Sequence, residues 1–187
     1  MIMRLLLVLA CCASVARADP GARDRGFQVF AGTLFQNDWI TLFDPFYINQ
    51  ERPGLVGLTY ERQFAQLGRV EFLAEAQIVG HAGKQEVIEF NGPIVYFRVP
   101  FRDLWLSSFA WGIGPSYASR PPKFEKERNG RAQNFLVHWT AEWAFVDHQG
   151  RDDREWTIRI HHRSNAYGFA GPHGGSNAIV IGRRWFF

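Results

Sequence analysis

Residues 69 to 79, RVEFLAEAQIV, put Val70, Phe72, Ala74, Ala76 and Ile78 on one side of an extended backbone and Glu71, Leu73, Glu75 and Gln77 on the other, because successive strand side chains point to opposite faces. Residues 133 to 146, QNFLVHWTAEWAFV, repeat the division. Phe135, Val137, Trp139, Ala141, Trp143 and Phe145 share an apolar face, and His138, Thr140 and Glu142 lie opposite. Segments 27–35, 55–64, 94–101, 104–114, 155–165 and 177–187 have the same character, which gives eight strands with one oily and one polar side.

Alternation by itself also fits a water-soluble sandwich. Three features favour a membrane barrel instead. Full charges sit in the middle of the strands, at Glu61, Glu71, Glu75, Arg98, Glu142 and Arg159, which suits a polar barrel interior better than an apolar core. The connections alternate in length: 36–53, 80–92 and 115–132 are long, 65–68, 100–103 and 147–153 are short, and 166–176 is intermediate. That is the order expected when short turns face the periplasm and long loops face outward. The chain also ends RRWFF, resembling the terminal aromatic signal read by the barrel-assembly machinery. The expected fold is therefore all-β, an eight-stranded antiparallel transmembrane barrel of the outer membrane. Eight strands leave room inside only for side chains, so ion pairs and not a pore are expected in the lumen.

Export follows from the other end. Residues 1–18, MIMRLLLVLACCASVARA, carry Arg4, an apolar run and the small residues Ala16 and Ala18, the pattern of a cleaved signal peptide. A single barrel domain, 19–187, is expected to remain, located in the outer membrane of a Gram-negative cell. Cys11 and Cys12 leave with the signal, which excludes thiol catalysis and disulfides. Without Arg4 and Arg17 the 21 Lys and Arg fall to 19 against 18 Asp and Glu. Bulk charge therefore names no partner and gives no sign of nucleic acid. Residues 119–133, SRPPKFEKERNGRAQ, read as a charged loop broken by prolines. Its Arg120, Lys123, Lys126, Arg128 and Arg131 suit either lipopolysaccharide phosphates or plain solvent. His138, His148, His161, His162 and His173 show no linear spacing with Asp or Glu that reads as a metal site, and neither metal nor cofactor is expected.

Chemistry-capable side chains gather near the end of the seventh strand. Trp156, Ile158 and Ile160 take its lipid-facing positions, so the same parity turns His162 and Ser164 outward and His161 inward. Two positions on one strand face are roughly 6.5 to 7 Å apart between backbones. Spacing alone leaves two readings open: a nucleophile with its base, or an interfacial histidine beside a serine that opens a loop.

The segment His162-Arg163-Ser164-Asn165-Ala166 resembles the His-x-Ser-Asn-Ala motif of the lipid A 3-O-deacylase (PagL) family. The following GPHGGSNAIVIG is similar to that family's Pro-Asn-x-Gly-x-Glu pattern. The resemblance implies an outer-membrane ester hydrolase on an eight-stranded barrel, acting on lipid A of lipopolysaccharide among the outer-membrane lipids. It implies Ser164 as nucleophile and His162 as general base, with Asn165 as an oxyanion donor. His173 and Gly175 match the loop positions assigned to substrate and oxyanion binding. Asn177 falls where the family carries its acid, and nothing from 166 to 187 is Asp or Glu. The alternative is a noncatalytic small barrel with a structural or adhesive role, or a deacylase-like barrel that has lost turnover.

Overall fold

The computed structural model describes residues 24–35, 50–83, 85–101, 105–147, 153–172 and 174–187, without the side chains of 50–53. The expected signal peptide and His173 lie outside the described residues. Eight strands run β1 Arg25–Phe35, β2 Gln50–Leu67, β3 Val70–Ala82, β4 Ile88–Pro100, β5 Leu106–Ala118, β6 Phe135–Val146, β7 Arg154–Ser164 and β8 Gly175–Phe186. Each pairs antiparallel with the next, and β1 pairs with β8, so the sheet closes into a barrel without a free edge.

The two faces separate as the alternation requires. Val56, Leu58, Ile78, Phe90, Val95, Trp156, Ile158 and Ile181 point out and are exposed. No helix among the described residues is long and apolar enough to cross a membrane.

Near the end that carries the chain termini, the lumen is filled by paired charges. Arg159 bonds Glu75 and Glu142, at 2.9 and 2.6 Å, and Gln28 at 2.9 Å. Arg98 holds Glu61 at 2.6 Å, Tyr96 donates to Glu142 at 2.9 Å, and Arg184 pairs with Glu61 and Glu142. Charges this deeply buried persist because each cation meets carboxylates with good geometry.

The opposite end departs from the sequence reading in two ways. Residues 119–133 hold a short helix, α1, Lys123–Asn129, which follows Pro122 and ends on the left-handed Gly130. Its Phe124 packs with Phe30, Leu34, Leu55, Val79, Ala178 and Val180, so an apolar cluster fills part of this end of the lumen beside the buried ion pairs of Arg163 with Glu125 and Glu89. Its Glu125 bonds Arg163 at 2.5 Å and Ser176 at 3.0 Å. Burial pushes the Glu125 carboxyl up, against the pull of Arg163. The β3–β4 connection is also short, 83–87, because both strands extend into the segment expected to be a loop.

Candidate active site

The alternation of β7 continues through its far end. Glu155, Thr157, Arg159, His161 and Arg163 are buried inward, while Trp156 and Ile158 are exposed outward and His162 and Ser164 are half-buried. His161 therefore faces the lumen, where its Nε2 lies 3.0 Å from Glu89 Oε1. His162 faces away from it on the outer wall.

Register decides who meets His162. It stands opposite Trp139 of β6 on one side and Asn177 of β8 on the other. The Trp139 ring packs on the imidazole with centroids 4.7 Å apart. On the other side, His162 Nδ1 is hydrogen-bonded to Asn177 Oδ1. An amide oxygen only accepts, so Nδ1 carries the proton and Nε2 keeps its lone pair. Asn177 points outward yet is only 2 % exposed, and Phe35 of β1 is its register partner on the far side.

Ser164 is the last residue of β7, opposite Val137 and Gly175. Its Oγ accepts from the Ala166 N–H at 3.3 Å. Among the described residues no hydrogen bond joins it to His162. Both side chains leave one face two positions apart, so a rotation about the serine χ1 changes the gap without moving the backbone. The chain turns sharply just beyond. Ala166 and Tyr167 both adopt positive φ, 47° and 57°, a conformation that costs a non-glycine residue free energy and clusters at functional sites. The Asn165 carbonyl accepts from Gly168 and Ala170 N–H at 3.1 and 2.9 Å, which holds this turn. Gly175 has φ 139°, and a Cβ there would stand 3.0 Å from the Arg163 carbonyl, so its closeness to Ser164 depends on glycine.

Below His162 the outer wall carries a continuous apolar patch. Phe35, Ala141 and Ile160 form its buried centre, with Phe109, Trp111, Trp139, Trp143 and Ile179 packed around them. Tyr167 and Phe169 stand fully exposed on the adjoining turn. The resemblance did not point to Phe35 or Trp139. Their outward parity was legible, but their meeting with Asn177 and His162 depends on barrel closure and strand register.

No protein-family model matches the chain, and no characterised protein matches it by sequence. The chain is similar to the outer membrane enzyme PagL at 13% identity and TM-score 0.56, over 87% of this chain and 99% of that one. It is also similar to Neisserial surface protein A (NspA) at 8% identity and TM-score 0.49, over 88% and 97%. At such identity the likeness to PagL concerns the barrel fold.

Proposed function

We propose that the chain is an outer-membrane esterase that removes the 3-O-linked acyl chain of lipid A, with Ser164 as nucleophile and His162 as general base. The observation that carries this reading is the hydrogen bond from His162 Nδ1 to Asn177 Oδ1 on the outer wall, two positions from Ser164. It fixes the tautomer whose Nε2 takes the serine proton as Oγ attacks the ester carbonyl. Asn165, together with a backbone N–H, is the candidate for holding the tetrahedral oxyanion. The Phe35, Trp139, Trp143 and Ile160 patch offers acyl chains an apolar approach to Ser164 from the membrane. Lipid A in the outer leaflet fits a site on the outer wall at the end away from the chain termini.

A noncatalytic barrel is the second reading, and a specific observation favours it: position 177 is an amide, which orients a histidine but does not neutralise imidazolium. Mass spectrometry of lipid A from a host lacking such an enzyme separates the two. Loss of one 3-hydroxyacyl mass on expression supports the esterase. Unchanged lipid A around a correctly assembled barrel supports the noncatalytic reading.

A further inference from the structure

Inside the barrel, behind the wall that carries His162, three ligand-type side chains converge although they lie far apart in sequence. Glu89 of β4, His138 of β6 and His161 of β7 each present one ligand atom, and these atoms all lie within 4.8 Å of one another. β4 and β6 are not neighbours in the sheet. The cluster therefore spans the lumen instead of following one strand pair.

All three residues are at most 1 % exposed. Among the described residues, neither ring nitrogen of His138 nor Nδ1 of His161 has a hydrogen-bond partner. Buried polar atoms are ordinarily satisfied, so an imidazole with both nitrogens unbonded points to a ligand. The two rings lie with centroids 4.4 Å apart. Glu89 is meanwhile held in place: His81 Nε2 lies 2.8 Å from Oε2, and Ser116 donates to Oε1 at 3.3 Å. Gln85 Nε2 approaches His81 Nδ1 at 3.2 Å. An amide nitrogen only donates, so His81 Nδ1 accepts and Nε2 carries the proton to Glu89. A second histidine orienting a carboxylate in this way is a common support for a metal ligand. Arg163 also approaches Glu89, at 3.8 Å, but its charge is matched by Glu125 at 2.5 Å.

We infer that Glu89, His138 and His161 form a lumenal site for a divalent transition-metal ion, with zinc the best fit, that ties β4 to β6 and β7 across the barrel. Two neutral imidazoles and one carboxylate are a zinc donor set, and solvent takes the fourth position. Bonds of about 2.0 to 2.2 Å to a tetrahedral ion put ligand atoms about 3.3 to 3.6 Å apart. Side-chain rotations closing roughly 1 Å bring the three atoms to that spacing. On binding, the 3.0 Å contact between His161 and Glu89 is exchanged for bonds to the ion.

The test uses the untagged full-length barrel, refolded after chelator treatment in the presence of Zn²⁺ alone. The expected result is one zinc per folded barrel by elemental analysis after gel filtration. Co²⁺ in its place gives the visible absorption of a tetrahedral site, and either ion raises the temperature of heat modification. His138→Leu loses no hydrogen bond and leaves the metal-free barrel at least as stable. It lowers zinc affinity at least about a hundredfold, since even second-layer changes around metals cost about ten- to a hundredfold. Glu89→Gln gives a comparable loss, and decides alone if His138→Leu does not fold. Less than one zinc per barrel, or stoichiometric zinc that these variants leave unchanged, overturns the site.

Discussion

His162 donates its Nδ1–H to the amide oxygen of Asn177 across the β7–β8 pair. That bond aligns the ring and leaves Nε2 basic on the side of the wall shared with Ser164. It makes the outer end of β7 testable residue by residue.

Ser164→Ala and His162→Ala are each expected to abolish lipid A deacylation while the barrel keeps its heat-modifiable mobility, because both side chains lie outside the core. His161→Ala, one residue away but facing the lumen, is expected to retain deacylation. Lipid A mass spectra of the three variants check this, and equal loss in all three would contradict an outward site.

Replacing the amide with a carboxylate should accelerate the reaction. Asn177→Asp keeps an oxygen where Asn177 Oδ1 already meets Nδ1 and adds the charge that stabilises imidazolium. The reverse change in a serine protease costs about 10⁴ in turnover, so a gain of at least about tenfold is the conservative expectation. A folded Asn177→Asp variant with a native or lower rate removes Asn177 from the mechanism.

The lumenal charges make a stability prediction. Arg159 bonds Glu75, Glu142 and Gln28 with no exposure to solvent. Arg159→Ala takes the cation from buried Glu75 and leaves Glu142 to Arg184 and Tyr96, and breaking such a buried pair costs about 3 to 5 kcal/mol. Urea unfolding in detergent micelles reads the drop. A change under about 1 kcal/mol would mean that the lumen hydrates freely enough to screen the pair.

The terminal aromatic separates assembly from stability. Phe187 is 63% exposed, and its backbone N–H reaches the Arg25 carbonyl at 3.1 Å. Deleting it should lower the amount of barrel in the outer membrane while the purified barrel keeps a nearly native unfolding midpoint. Undiminished outer-membrane yield would show that assembly reads another signal.

The sequence by itself determined the strands and their two faces. A period of two is a local property, set by the backbone, and Glu75, Glu142 and Arg159 could lie only on the side away from Val70 to Ile78 and Phe135 to Phe145. The same parity separates His161 from His162. The charged, proline-broken composition of 119–133 reads as a loop, and its helix emerges only where Phe124 and Glu125 pack into the barrel. Tertiary structure decided which residues meet. Closing β8 against β1 brings Phe35 over Asn177, and register sets Trp139 and Asn177 beside His162. Curving the sheet on itself carries Glu89 across the lumen to His138 and His161, and seats Phe124 among Phe30, Leu34 and Val79. Parity fixes the direction of a side chain within one strand, whereas contacts between strands depend on the stagger and curvature of the closed sheet, which no single segment contains.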